Sequence, residues 1–427
     1  MTLKVTSEIG KLTSVLVHLP GPEIDRMIPS MMEELLFDDI LYGQRAREEH
    51  RRFQQVLGFV ADEVLDVQDL LEEVLAVPEK RDAVLEDLGR TLGWGPDMDY
   101  RLRDLPPSDL AKALVTGLER PAAEVAESTS ELYWLPPIPN YFFQRDPLVV
   151  VGEGVILGAM ATPARLREPL LSGYVFDHHP RFAQPEDVFW FREFSADYGR
   201  PTSYARMRPT LEGGDVLVMR EDLLVIGYSE RTEKTTIERL TEALKARKAP
   251  IKRVLVVAVP PARSYMHLDT VFTVISREEC LVYGPMILPG GAEEADVYEC
   301  DLTKREITWT SEKDLLSALK TLKVDLKPVR CGGDDPIAER REQWTDGANA
   351  FALAPGILLT YDRNERTTEE LASRGYEVID ESDLLLGRRE LDAGKKAVIR
   401  LAAHELSRAR GGPRCMAMPL VREPVGP

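Results

Sequence analysis

A cysteine behind a glycine turn, Arg410-Gly411-Gly412-Pro413-Arg414-Cys415, and a histidine two residues from an acid, His267-Leu268-Asp269, could together carry covalent chemistry. A thiol ionises at about pH 8.5 and becomes a strong nucleophile once nearby positive charge stabilises its thiolate. A bound cation, Arg410 or Arg414 can supply that charge. A histidine can protonate a departing nitrogen and then deprotonate the water that follows. Carboxylates stand in similar short polar signatures, at Asp146, Glu212, Asp215 and Asp269. Acids facing one cavity repel unless a cation lies between them. A metal ion is one answer. A planar guanidinium, whose fork of N–H donors matches paired carboxylates, is the other. Cysteine beside histidine favours the second: Cys415 attacks the guanidinium carbon, His267 protonates the ammonia that leaves, and water hydrolyses the thiouronium left on sulfur.

Ordinary explanations compete with each of these residues. Most buried cysteines are packing. Cys280 and Cys300 read as strand core, and Cys331, before Gly332-Gly333-Asp334-Asp335, is the one rival nucleophile, with no histidine near it in sequence. The four cysteines show no CxxC spacing, so neither a disulfide framework nor a zinc site is indicated. Asp334 and Asp346 adjoin glycines, and with Asp335 they read as turn formers rather than metal ligands. His18, His50, His178, His179 and His404 sit in settings expected to face solvent or cap elements.

The elements that must position the set follow a repeating plan. Four β-hairpins are expected: Leu148–Val151 with Val155–Leu157, Val216–Met219 with Leu223–Ile226, Val271–Ile275 with Cys280–Tyr283, and Ala350–Leu353 with Ile357–Thr360. Helices over Thr235–Ala246 and Ser311–Leu319 follow two of them. Each hairpin is preceded by a signature: Arg145-Asp146-Pro147, Glu212-Gly213-Gly214-Asp215, His267-Leu268-Asp269 or Asp346-Gly347-Ala348-Asn349. Such recurrence suggests a closed circular array of about five modules, with the strand Ser14–Leu19 completing the N-terminal one. Its strand starts would converge at one centre. Residues 29–128 differ. Phe53, Val56, Leu57, Val60, Val64, Leu65, Leu71, Val74 and Leu75 recur at helical spacing, with Ser108 placed to cap a later helix. This reads as a helical insertion (29–128) in a catalytic unit made of 1–28 and 129–427.

Composition narrows the function. Hydrophobic residues are 44% and charged residues 30%, which suits a packed globular chain. With 54 Lys and Arg against 72 Asp and Glu, the net charge of -18 disfavours nucleic acid and anionic membrane surfaces and favours a small cation. No stretch approaches the roughly 20 apolar residues of a membrane span, and Met1–Val5 does not open a signal peptide, so a cytoplasmic location is expected.

Taken together, Glu34–Leu41, Asn140–Pro147, Leu211–Val218, Met266–Thr273, Gly332–Arg363 and Gly411–Glu423 resemble the arginine deiminases, guanidino-group-modifying enzymes, from near residue 10 to near residue 424. The resemblance implies an α/β fold, a five-bladed pseudo-symmetric propeller with an inserted helical domain, and hydrolysis of free L-arginine to L-citrulline and ammonia. It implies Cys415 as nucleophile, His267 as general acid/base, Asp146 and Asp269 as the guanidinium clamp, and Glu212 as the partner of the histidine. Asn140, Phe143, Arg165, Arg231 and Arg410 fall where the family holds the amino-acid end of the substrate. No cofactor or metal is required. Homo-oligomers are common in the family, and the acidic helices offer a contact surface.

One position departs from the family pattern. Gln144 replaces the usual Thr between Phe143 and Arg145, and strand alternation would turn it away from Asp146. Agmatine, lacking a carboxylate, gives no reason to gather Arg165, Arg231 and Arg410. An amidinotransferase, a peptidyl-arginine deiminase and a non-catalytic arginine-binding protein are the remaining alternatives.

Overall fold

Hairpins organise the chain, each followed by a helix and a third strand that returns parallel to the second. The computed structural model describes residues 1–122, 125, 132–182, 188–192, 209–392 and 394–426. Strands Leu148–Val151 and Gly154–Leu157 pair antiparallel, the helix Arg167–His178 follows, and Phe189–Arg192 returns parallel to Gly154–Leu157. The same order recurs with Val216–Arg220, Leu223–Tyr228, the helix Lys234–Ala246 and Arg253–Ala258. Phe272–Val274, Glu279–Val282 and Lys327–Arg330 form a third unit, and Phe351–Ala354, Ile357–Tyr361 and Ala397–Leu401 a fourth. A further unit joins the two ends of the chain. Met418–Arg422 pairs antiparallel with Leu12–Val17, the helix Gly43–Leu57 follows, and Glu63–Asp66 lies parallel to Leu12–Val17. The helix connecting parallel strands is what such crossovers require.

Val64 and Leu65 therefore belong to a strand, not to the helical run in which their spacing placed them. The helices after them are Val67–Leu75, Pro78–Leu92, Pro96–Arg103 and Pro107–Thr116. Asp66 starts the first by accepting a hydrogen bond from the Gln68 N–H, and Gly93, at φ +69°, ends the second. The buried stripe Leu70, Leu71, Val74 and Leu75 packs into the same core as Leu148 to Val151 and Leu157. The helices thus share a core with the first complete hairpin unit. Burial of each such leucine is worth roughly 2 kcal/mol.

Other expectations need correcting. Ser108 is inside its helix, which begins at Pro107 without a side-chain cap. Ser311 lies in the strand Trp309–Glu312, and the helix following it is Leu315–Thr321, capped by Asp314. His18, His50 and His179 are buried. His18 is fixed between Asp66 and Glu23, each at 3.2 Å, while neither nitrogen of His50 has a partner. The boundary at 128/129 lies outside the described residues. Among the described residues, no helix is long and apolar enough to cross a membrane.

Candidate active site

The polar signatures occupy the turns that enter the hairpins rather than the strands. Gly213–Asp215 and Leu268–Thr270 are single 3-10 turns ahead of Val216 and Phe272, so His267 and Asp269 reach the centre from a turn, not by strand alternation. Gly214 is required by contact: a Cβ there would lie 2.6 Å from the His267 ring. Across the site, a Cβ on Gly412 would meet Asn349 Oδ1 at 2.5 Å, and one on Gly411 would strike the Phe143 ring. These glycines let backbone close around the candidate side chains His267, Asn349 and Phe143.

A small cavity of about 20 Å³ is lined by Asn140, Phe143, Asp146, Arg165, Arg231, His267, Arg410 and Cys415, with Leu36, Met266, Ala409 and Gly411 completing the wall. Glu212 and Asp269 stand behind it, fully buried. Glu212 Oε2 pairs with His267 Nε2 at 2.8 Å, and His267 Nδ1 faces Asp146 Oδ1 at 4.0 Å. Burial works against the imidazolium, but Asp146, Glu212 and Asp215 outweigh it and raise the His267 pKa to about 9. Glu212, opposed by burial, is held well below the usual carboxylate range by His267, Arg231 and Arg165. At neutral pH this is an ion pair with its proton on histidine.

Cys415 is in the opposite state. Burial, then Asp269, Asp146 and Asp346, push its thiol well above the ordinary value. Its Sγ lies 3.7 Å from Asp269 Oδ2 and 3.3 Å from Asn349 Nδ2. Arg414 does not serve the sulfur. Its guanidinium joins Glu8 (3.1 Å), Asp269 (2.8 Å) and the Val216 carbonyl (2.9 Å). Cys280 and Cys331 are buried, and burial raises their thiols too.

Each acid of the expected clamp is half satisfied. Asp146 Oδ2 accepts from Arg165 at 3.0 Å and Asp269 Oδ2 from Arg414, while Asp146 Oδ1 and Asp269 Oδ1 are buried without a partner. Asp146, Glu212 and His267 bring three donor atoms within 4.8 Å of one another, a spacing a metal can use. Arg165, 3.0 Å from Asp146 and 3.5 Å from Glu212, already places a cation among them.

Of the residues expected to hold the substrate's other end, Arg165 is engaged with Glu168 and Asp146, and Arg231 approaches Glu212 at 3.9 Å. Asn140 donates to the Leu35 carbonyl at 2.7 Å, and Arg410 lies over the Trp344 ring, 3.3 Å from Asp38. Gln144 sits in a turn, buried, donating to the Tyr141 carbonyl at 2.5 Å, and does not line the cavity. Strand alternation has no part in its placement. Two residues beside the chemistry escaped the sequence reading. Asn349 was visible within Asp346-Gly347-Ala348-Asn349, whereas Glu8, far from every motif, gave no signal.

The arginine deiminase family model matches residues 33–89 and 111–422. The chain belongs to the arginine deiminase family. Among its relatives is an arginine deiminase from Listeria monocytogenes serotype 4b, 36% identical over 437 residues, covering 99% of this chain and 98% of the relative. One from Bacillus cytotoxicus is 35% identical over 441 residues, covering 99% of each. Among solved structures, the N-terminal domain of ArgZ, an arginine dihydrolase from cyanobacteria bound to product, matches with a TM-score of 0.51 and 16% identity over 97% of this chain and 99% of that one. DDAH from Pseudomonas aeruginosa complexed with citrulline matches at 0.50 and 14%, covering 96% and 99%. At these identities the two structures establish a shared α/β fold.

Proposed function

We propose that this member of the arginine deiminase family hydrolyses free L-arginine to L-citrulline and ammonia through a covalent intermediate on Cys415. The observation that carries this reading is the pair of buried oxygens without hydrogen bonds, Asp146 Oδ1 and Asp269 Oδ1, on the two carboxylates beside the Cys415 thiol. Buried carboxylate oxygens without donors are costly, and a guanidinium satisfies both at once.

The free protein holds a neutral thiol and a protonated histidine. The thiol is neutral because burial and the nearby acids oppose its ionisation. A guanidinium between Asp146 and Asp269 cancels part of that anionic field, so arrival of the substrate lowers the thiol pKa and its proton leaves to solvent. The sulfur then attacks the guanidinium carbon. The His267 imidazolium protonates one nitrogen, the C–N bond breaks, and ammonia departs, leaving a thiouronium. His267, now neutral and held by Glu212, takes a proton from water as its oxygen adds to the same carbon. The C–S bond then breaks as the adduct's hydroxyl becomes the carbonyl of citrulline, and the hydroxyl proton passes to sulfur, restoring the neutral Cys415 thiol beside the protonated His267. Arg165, Arg231 and Arg410, with Asn140 and Phe143, take the amino-acid end, a role that favours arginine over agmatine.

The same reading includes closure of the hairpin units into a five-bladed propeller and self-association through the acidic helices in the cytoplasm. It divides the chain into a catalytic unit (1–28, 129–427) and a helical unit (29–128), with Glu63–Asp66 lent to the catalytic sheet. Incubation with L-arginine without added metal should give citrulline and ammonia in equal amounts, and Cys415→Ser should give neither. Activity retained in the mutant would remove the nucleophile assignment. Arginine bound but never consumed would favour the non-catalytic alternative.

A further inference from the structure

The short segment leaving the helix Pro336–Trp344 touches the site at two places. Trp344 lies under the Arg410 guanidinium at 3.3 Å, and Asn349 donates to Cys415 Sγ at 3.3 Å. Between them Asp346 is 2% exposed, at φ +62°, with Oδ2 buried and without a partner. A buried acid kept for structure is normally saturated with donors. Asp215 accepts from Ser229 and the Leu268 N–H, and Glu342 from Thr367 and two backbone N–H groups. Asp346 has no such set.

Its complement is Arg410. That residue is also buried and left-handed, at φ +63°, and its Nε has no partner. Its other donors make long contacts toward the rim, to Asp38 (3.3 Å) and the Arg263 carbonyl (3.2 Å). Arg410 is the cation acting most strongly on Asp346, and Asp346 acts on Arg410 ahead of Asp38.

We propose that Asp346 is a positioning residue for substrate recognition, the buried counter-ion that keeps the Arg410 guanidinium at the cavity so that its free donors meet the α-carboxylate of arginine. This rests on the assignment of Arg410 to that carboxylate. Trp344 supports the guanidinium from below and Asp346 supplies the charge that a buried cation needs. Without Asp346, the contact with Asp38 that Arg410 already makes at 3.3 Å would be left as its main acidic anchor, on the outer side. One short segment then serves both ends of the substrate, through Arg410 at the carboxylate and through Asn349 at the sulfur.

The test is calorimetric binding of L-arginine and of agmatine, which lacks the carboxylate, to Cys415→Ser and to Cys415→Ser/Asp346→Asn. Asparagine is nearly isosteric and tolerates left-handed backbone, so the turn is retained. Asp346→Asn should weaken arginine binding about tenfold, the scale of one charged contact, while agmatine changes by less than about twofold. With Arg410→Ala present, Asp346→Asn should add no further loss, since the two act as one unit. The charge-retaining Asp346→Glu should recover part of the arginine affinity; recovered folding without recovered affinity overturns the proposal. So does an equal loss for both ligands, or no loss for either. If the wild-type protein forms no citrulline while this selectivity persists, the deiminase reading fails and the role of Asp346 stands.

Discussion

His267 and Cys415 rest in the protonation states that the proposed chemistry needs on one side only: the proposed acid is charged, the proposed nucleophile is not. His267 owes its high pKa to its acidic neighbours, foremost Asp146 and the hydrogen-bonded Glu212, acting against burial. With arginine bound and the thiol ionised, kcat should therefore hold through neutral pH and fall as His267 loses its proton, at or below the value of about 9 that it has in the free protein. Glu212→Gln removes an anion that favours the imidazolium, so the alkaline limb should move down by about one pH unit or more. A pH–rate profile of the variant decides it, and an unmoved limb would show that another group titrates there. Cysteine, histidine and acids were legible as residues because each has few reasons to stand in such a motif. The division of roles between Arg410 and Arg414 was not, because it depends on which acids come within 3–4 Å after folding.

The turns before the hairpins are built for close approach, and their glycines carry that function. Gly214→Ala would place a methyl 2.6 Å from the His267 ring and tilt it away from Glu212. Loss of kcat by about tenfold or more, with the fold retained, is the expected result; full activity would mean the ring has room to shift. A different element junction depends on His18. Burial opposes its charge, yet Asp66 and Glu23 raise its pKa to about 10. A raised pKa stabilises the fold below the unfolded value near 6.5, and that contribution is lost as pH climbs to about 10. The wild-type unfolding free energy should fall across that window by an amount on the order of 2–4 kcal/mol, and that of His18→Gln should vary less. Equal slopes would contradict the ion-paired state of His18. Strand alternation and turn residues exposed all four central hairpins in the sequence. Helical periodicity misled at Val64 and Leu65, because a four-residue edge strand, half-buried along its length, is too short to show a period of its own. His18 and His50 were misplaced because burial of a histidine is decided by partners distant in sequence.

At the scale of the whole molecule, the repeat of hairpin, helix and returning strand explains why the proposed catalytic residues lie so far apart in the chain. Asp146, Glu212, His267, Asn349 and Cys415 each stand at the entrance to a strand of a different unit, and the units meet at those ends. The last unit is assembled from both chain ends, which brings Glu8 against Arg414. Burial opposes the Glu8 carboxylate, but Arg414 and Arg145 lower its pKa to about 2. No local pattern announces such a contact, since it exists only once the chain has closed on itself. The central claim is that Cys415 carries the substrate carbon between two hydrolytic half-reactions. The most direct measurement is acid quench of the enzyme during turnover of L-arginine, followed by mass spectrometry of the peptide containing Cys415. That peptide should be heavier by arginine less ammonia, with the adduct absent from Cys415→Ser and decaying once substrate is exhausted. Steady citrulline production with an unmodified Cys415 peptide at every quench time, or an adduct on another residue, would contradict that claim.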